Sequence, residues 1–324
     1  MSGQFYENAK KVSQLDIKNL AEGQIYRFWL EIVKDGIGQE VCIPVMVAKG
    51  IKDGPIIGLT AAVHGNELNG IPVIQRLFKE LDVDKMTGTV VGVPVLNVPS
   101  LLRKKRKFLD GTDLNHIMPG KEGGTVSQIY SWRVVNKLIN QFDYLVDLHT
   151  ASNGRINSYY IRADMSDEIV RKMALLQNAQ IIIHNPPNDG TLRGTADALN
   201  IPAITLEVGD PNRFQRGMIR DGMTGIHNLL AFLGVTDNEI EENDDETVIC
   251  KRSYWIYSDE GGLLYVHPSV TQKVSKGEQI ATVQNVFGDV VKIYFAPEDG
   301  IVIGKSTSPV NQAGGRILHL GIVK

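Results

Sequence analysis

The stretch Ile56-Ile57-Gly58-Leu59-Thr60-Ala61-Ala62-Val63-His64-Gly65-Asn66-Glu67 decides the fold. Its first eight residues form a short apolar run, entered through Asp53-Gly54-Pro55 and left through His64-Gly65. Such a run reads as a buried strand. Just downstream, Ile71, Ile74, Leu77, Phe78 and Leu81 recur at helical spacing, and Thr89 to Leu96 reads as another buried strand. A strand, a helix and a second strand in this order argue for α/β layering.

The same alternation extends both ways. Upstream, Ile25 to Val33 and Val41 to Ala48 are rich in β-branched and aromatic residues, with Lys34-Asp35-Gly36 as the turn between them. Downstream, Ile129, Trp132, Val135, Ile139 and Phe142 mark a second amphipathic helix. Strands follow at Tyr144 to Leu148, Tyr159 to Ile161, Ile181 to Ile183 and Ile204 to Leu206, with helices near Ile169 to Leu176 and Met218 to Leu233. Residues 1–236 are therefore expected to form an α/β domain whose sheet is largely parallel or mixed and flanked by helices.

The composition then shifts. Residues 237–247 form an acidic linker, with seven acidic residues and no basic one between Asp237 and Glu246. Residues 248–324 lose all helical period and are punctuated by Gly261-Gly262, Lys276-Gly277, Phe287-Gly288, Asp299-Gly300 and Gly314-Gly315. This predicts a small all-β domain. It resembles a biotinyl/lipoyl-type barrel sandwich but has no lysine in a carrier setting, so it is expected to pack on the α/β domain, shape the entrance to any cleft there or support a homo-oligomer.

Bulk properties narrow the function. With 324 residues, 43% hydrophobic and 22% charged, the chain can bury a sizeable core. A formal net charge of -3 gives no basic footprint for nucleic acid. Arg103-Lys104-Lys105-Arg106-Lys107 is a short basic cluster without interleaved aromatics. Cys42 and Cys250 stand far apart, so no disulfide framework or cysteine metal site is indicated. No apolar run has the length a membrane helix needs, and Met1 to Leu20 lacks the apolar stretch of a signal peptide. The expectation is a cytoplasmic protein without nucleic-acid or membrane partners.

Chemistry-bearing residues gather at the ends of the apolar runs: His64-Gly65-Asn66-Glu67, Asp113-Leu114-Asn115-His116, Asp147-Leu148-His149 and Glu207-Val208-Gly209. In open α/β sheets that edge is where sites are assembled. His64 and Glu67 are three apart, so a helical turn would point both the same way. Imidazole nitrogen and carboxylate oxygen suit zinc, and a second histidine from a separate strand would complete a His₂Glu set with an open position for water.

The four motifs, in this order, resemble the succinylglutamate desuccinylase/aspartoacylase family, which is related to zinc carboxypeptidases. The resemblance runs from about residue 40 to the end of the sequence. It implies a zinc-carboxypeptidase-like fold and a deacylase that hydrolyses the amide bond of an N-acyl amino acid or related amine. It also implies His64, Glu67 and His149 as ligands to one zinc ion, and Glu207 as the general base toward water. Arg106 would be the cation beside the carbonyl oxygen. Asn115 and the residue after it would grip a substrate carboxylate.

This chain has His116 where the family pattern has arginine. Histidine cannot offer the paired donors of a guanidinium. Either the substrate lacks that carboxylate or another arginine takes it. Arg155, Arg162, Arg193 and Arg213 lie near the sheet edge, and Arg193 is the one favoured by the sequence. Asp147, two residues before His149, either orients a ligand histidine or is a buried strand carboxylate bonded to a loop. His184 is a further cleft candidate, whereas His227, His267 and His319 read as structural. Two alternatives stay open: a carboxypeptidase acting on peptides, and a non-catalytic zinc-binding protein.

Overall fold

The computed structural model describes residues 9–187, 190–242 and 246–323. The first eight residues of the expected polar start, and 243–245 of the acidic stretch, lie outside the described residues. The chain runs β1 (Lys10–Val12), β2 (Gln24–Lys34), β3 (Glu40–Lys49), β4 (Lys52–Ala61), α1 (Gly70–Glu80), β5 (Thr87–Val93) and α2 (Val98–Leu102). It continues with α3 (Val126–Lys137), β6 (Tyr144–His149), β7 (Arg155–Asn157), β8 (Tyr159–Ala163), α4 (Glu168–Leu175), β9 (Ile181–His184), α5 (Leu192–Ala198), β10 (Ala203–Val208) and α6 (Arg216–Phe232). Only strands follow among the described residues: β11 (Val248–Cys250), β12 (Arg252–Tyr257), β13 (Gly262–Val266), β14 (Lys273–Val274), β15 (Gln279–Gln284), β16 (Val290–Phe295), β17 (Gly300–Ser306), β18 (Val310–Asn311) and β19 (Arg316–Ile322).

Ten strands form one mixed sheet in the order β1-β2-β3-β5-β4-β6-β10-β8-β9-β11. Its middle, β5-β4-β6-β10, is parallel. These strands read as continuous apolar runs because helices cover both faces. One face packs Ile57, Leu59, Val146 and Leu206 against α1, α4 and α6, and the other packs Val91, Val93 and Leu145 against α3 and α5.

Two antiparallel sheets follow, β12-β19-β17-β14 and β16-β15-β13-β18. They share a core that includes Leu264, Val283, Val302 and Leu318. Two strands cross the expected division of the chain. Val248, the expected first residue of the β region, instead opens β11, which pairs in parallel with β9 in the large sheet. Conversely, β7 pairs antiparallel with β17 and so belongs to the C-terminal sheet. The acidic stretch is tied down at Glu241, whose backbone N–H donates to Asn228 Oδ1 and whose carbonyl accepts from Asn178 and Asn228.

The parallel middle of the sheet positions the site. β4, β6 and β10 end side by side, with Thr60 next to Asp147, Asp147 next to Thr205, and His149 next to Glu207. With side chains alternating along each strand, Asp147, His149, Thr205 and Glu207 share one face.

Candidate metal centre and cavity

His64 and Glu67 meet in a tight turn rather than in the expected helical turn. Glu67 N–H donates to His64 O at 3.1 Å, and α1 begins only at Gly70. The turn is held from the side: Asn97 donates its side-chain amide to Val63 O, and Ala62 adopts a positive φ of 52°. Gly65 is required by close approach, since a Cβ there would collide with the backbone of Ser100 and Leu101.

His64, Glu67 and His149 are 2%, 2% and 4% exposed, and one ligand atom from each lies within 4.8 Å of the others. Each imidazole turns Nδ1 toward Glu67, His64 Nδ1 at 3.0 Å from Oε1 and His149 Nδ1 at 3.0 Å from Oε2. The Nε2 atoms face away: His64 Nε2 is 2.8 Å from Asp113 Oδ1, and His149 Nε2 is 2.7 Å from Asp147 Oδ2. Each aspartate can accept an Nε2–H, which leaves the Nδ1 lone pair aimed inward, the arrangement metal-ligating histidines commonly show. Asp147 is itself fixed by Thr60 Oγ1 at 2.6 Å. His64 Nδ1 is buried and makes no hydrogen bond of acceptable geometry.

The electrostatics agree with a cation site. Burial pushes both imidazoles toward the neutral form, but the carboxylates reverse it. Glu67 and Asp113 raise His64, while Asp147 and Glu67 hold His149 well above the usual histidine range. Burial likewise raises the carboxyl of Glu67, and His64 and His149 pull it well below the ordinary value. Glu67, Asp113 and Asp147 gather three carboxylates around the two imidazoles, and the negative field that favours protons on the rings would equally favour a metal ion in their place. The three inner donors therefore fit a metal.

The cluster opens into a cavity of about 280 Å³. The residues expected as ligands, base, oxyanion cation and substrate contacts line it: His64, Glu67, His149, Glu207, Arg106, Asn115, His116 and Arg193. Glu207 accepts from Asn157 Nδ2 at 3.2 Å and lies 3.6 Å from Arg162 Nε. Arg106 donates to Glu67 Oε1 at 2.8 Å, to Asp113 Oδ2 at 2.9 Å and to Ser152 Oγ. Asn115 accepts the backbone N–H of Leu192 at the start of α5, and His116 is exposed at the mouth. Arg193 is buried, and its fork is occupied by the backbone and side-chain oxygens of Asn185, both at 2.8 Å. Burial and the nearby Arg162 lower its pKa to about 10.

His184 is outside the cavity lining and accepts from Met165 N–H. Asp113 does more than its place in the motif suggests, joining His64 to Arg106. Ser152, Arg155, Asn157, Arg162 and Trp255 also line the cavity. Of these, Arg155 and Arg162 carry a signal in the sequence as arginines near the sheet edge. Trp255 comes from β12 in the C-terminal region, and nothing in its local sequence marks it.

The succinylglutamate desuccinylase/aspartoacylase catalytic-domain family matches residues 53–233. An N-alpha-acetyl-L-2,4-diaminobutyric acid deacetylase of Halomonas elongata is 24% identical over 278 residues, covering 82% of this chain and 81% of its own. The product-bound ectoine utilization protein EutE (DoeB) from Ruegeria pomeroyi is similar in fold, with a TM-score of 0.85 at 20% identity over 93% of this chain and 96% of its own. A succinylglutamate desuccinylase/aspartoacylase from Rhodobacter sphaeroides gives a TM-score of 0.83 at 22% identity, over 95% and 98% of the two chains. The chain belongs to the succinylglutamate desuccinylase/aspartoacylase family.

Proposed function

We propose that this protein is a zinc-dependent amidohydrolase that removes the acyl group from an N-acyl amino acid or a related small N-acylated amine. The observation that carries the reading is the pair of Nδ1 atoms turned on Glu67, in one cavity with the carboxylate of Glu207. His64, Glu67 and His149 would hold the ion, and the open side of the cavity leaves room for water and substrate. When bound, zinc supplies Lewis acidity toward water and toward an amide carbonyl.

The chain's own groups do the rest. Glu207 takes a proton from the attacking water and returns it to the departing nitrogen, so the amide becomes a carboxylate and an amine. Asn157 and Arg162 hold that glutamate in place. Arg106 brings positive charge to the cavity wall, where oxygen charge develops. Asp113 and Asp147 keep the imidazoles oriented. Asn115, His116 and Arg193 shape the substrate end. The Halomonas elongata relative is a deacetylase, which supports the same class of bond.

Metal-loaded protein should release free amine from members of a panel of N-acetyl, N-succinyl, N-formyl and longer-chain N-acyl compounds. A panel without any amine release above the uncatalysed rate would overturn the reading.

A further inference from the structure

Four guanidinium groups line the cavity, and three already have partners. Arg106 is engaged by Glu67 and Asp113, Arg162 by Tyr160 and Glu207, and Arg193 by Asn185. Arg155 differs. Among the described residues its guanidinium makes no hydrogen bond and no ion pair; it lies over the Trp255 ring, 5.4 Å from the centroid. Burial first, then the nearby Arg316 and Arg106, lower its pKa. This is a partly buried cation for which burial and two nearby arginines outweigh the carboxylates of Glu207 and Glu67, and an anion would relieve it.

We propose that Arg155 reads a carboxylate on the N-acylated substrate, and that the C-terminal sheet holds it in position to do so. This deepens the deacylase reading and rests on it. Arg155 opens β7, whose register against β17 sets Ser306 beside Arg155, Lys305 beside Ile156 and Gly304 beside Asn157. The clamp continues on both sides, from Thr307 N–H to Gly154 O at 2.8 Å and from Ser158 N–H to Ile303 O at 3.0 Å. Trp255 is itself fixed, stacked on His319 at 5.0 Å with planes 12° apart. A flat guanidinium laid on a fixed ring is a pre-oriented fork for a carboxylate. His116, at the mouth, cannot make that paired contact, and Arg193 has its fork filled. The substrate's carboxylate can belong to the amine half or to the acyl half; the chemistry at Arg155 is the same.

The test compares wild type with Arg155→Met and Arg155→Lys on four probes. These are an N-acetyl amino acid, its carboxamide, an N-succinyl amine and the matching N-acetyl amine. Turnover and calorimetric binding are both measured. Arg155→Met should lose about 10- to 100-fold in kcat/KM, carried by KM, on a carboxylate-bearing probe only. Arg155→Lys should recover part of it, because the charge returns without the fork, and it carries the test alone if the Met variant does not fold. Whichever carboxylate probe loses its advantage names the half that Arg155 reads. Unchanged preference for carboxylate in both variants, or a wild type without any such preference in turnover and binding, would overturn the proposal. Binding of carboxylate probes that depends on Arg155 without any amide cleavage would support it while removing the deacylase reading.

Discussion

Gly304, in the C-terminal sheet, stands so close to Asn157 that a Cβ added to it would collide with Asn157 Oδ1 and fall 2.8 Å from Ile156 O. Asn157 in turn donates to Glu207 at 3.2 Å. The smallest residue at 304 is thus what allows β7 to lie against β17 with the Asn157 amide turned to the Glu207 carboxylate. Gly304→Ala should push β7 away, costing about 1–3 kcal/mol of stability as overpacking does. It should also lower kcat by up to about 100-fold, the scale expected of a misplaced catalytic geometry. Thermal unfolding and steady-state kinetics on one preparation check both, and a Gly304→Ala protein with wild-type kcat would break the link.

Glu207→Gln keeps the shape of the side chain and its contact with Asn157 but removes the proton acceptor. Turnover should fall by about two to four orders of magnitude with metal content unchanged. A variant turning over near the wild-type rate would remove Glu207 from the chemistry.

Asp147→Asn tests the outer support of the proposed metal centre. The aspartate holds His149 Nε2 at 2.7 Å and is held by Thr60 at 2.6 Å. The amide can still contact the ring but no longer presents two accepting oxygens of full charge. Metal affinity should weaken about 10- to 100-fold, as for other such supports. Competition against a chelator measures it, and equal affinity in both proteins would show that Asp147 is a strand carboxylate only.

His319 carries a pH dependence that is independent of the metal. Burial lowers its pKa most, and Arg162, Arg155 and Arg316 lower it further, well below the usual histidine value. Its Nε2 is 3.0 Å from Ser253 Oγ. In the unfolded chain the same ring takes a proton near pH ~6.5. Below that pH the unfolded state binds a proton the folded state refuses. Stability is therefore full above about pH 6.5 and falls as pH drops toward the folded pKa, by at most about 1.4 kcal/mol per pH unit from this group. His319→Gln should show a smaller fall in Tm than wild type between about pH 7.5 and pH 5.5. An equal fall in the two would assign the acid sensitivity elsewhere.

The parallel middle of the sheet is legible in the sequence because a strand covered on both faces must be apolar throughout, and β4, β6 and β10 end where that run meets His64, His149 and Glu207. His64, His149 and Glu207 reach one cavity for the same reason, sitting at or just past neighbouring strand ends, whereas Arg106, Asn115 and His116 reach it from the segment between α2 and α3, and Arg193 from α5. Arg155 and Asn157 are harder. β7 has three residues and its partner β17 lies about 150 positions away, so neither periodicity nor spacing marks the pairing. Composition alone places short β11 in the β region, although its apolar Val248-Ile249-Cys250 suits an edge of either sheet. Trp255 alternates with its neighbours like any strand residue, and only the packing of β12 shows that it walls the cavity. α5, with Arg193 near its start, is seven residues long and too short to leave a clear helical period.

The most direct test is a zinc titration of chelator-treated protein, following release of amine from the best N-acyl substrate. Activity should be absent without metal, rise in proportion to added zinc and level off at about one equivalent per chain, as a single three-ligand centre requires. The same titration of His149→Ala should stay flat over that range. Amine release by the metal-free protein at the rate of the loaded one, or a His149→Ala titration that matches wild type, would contradict the account.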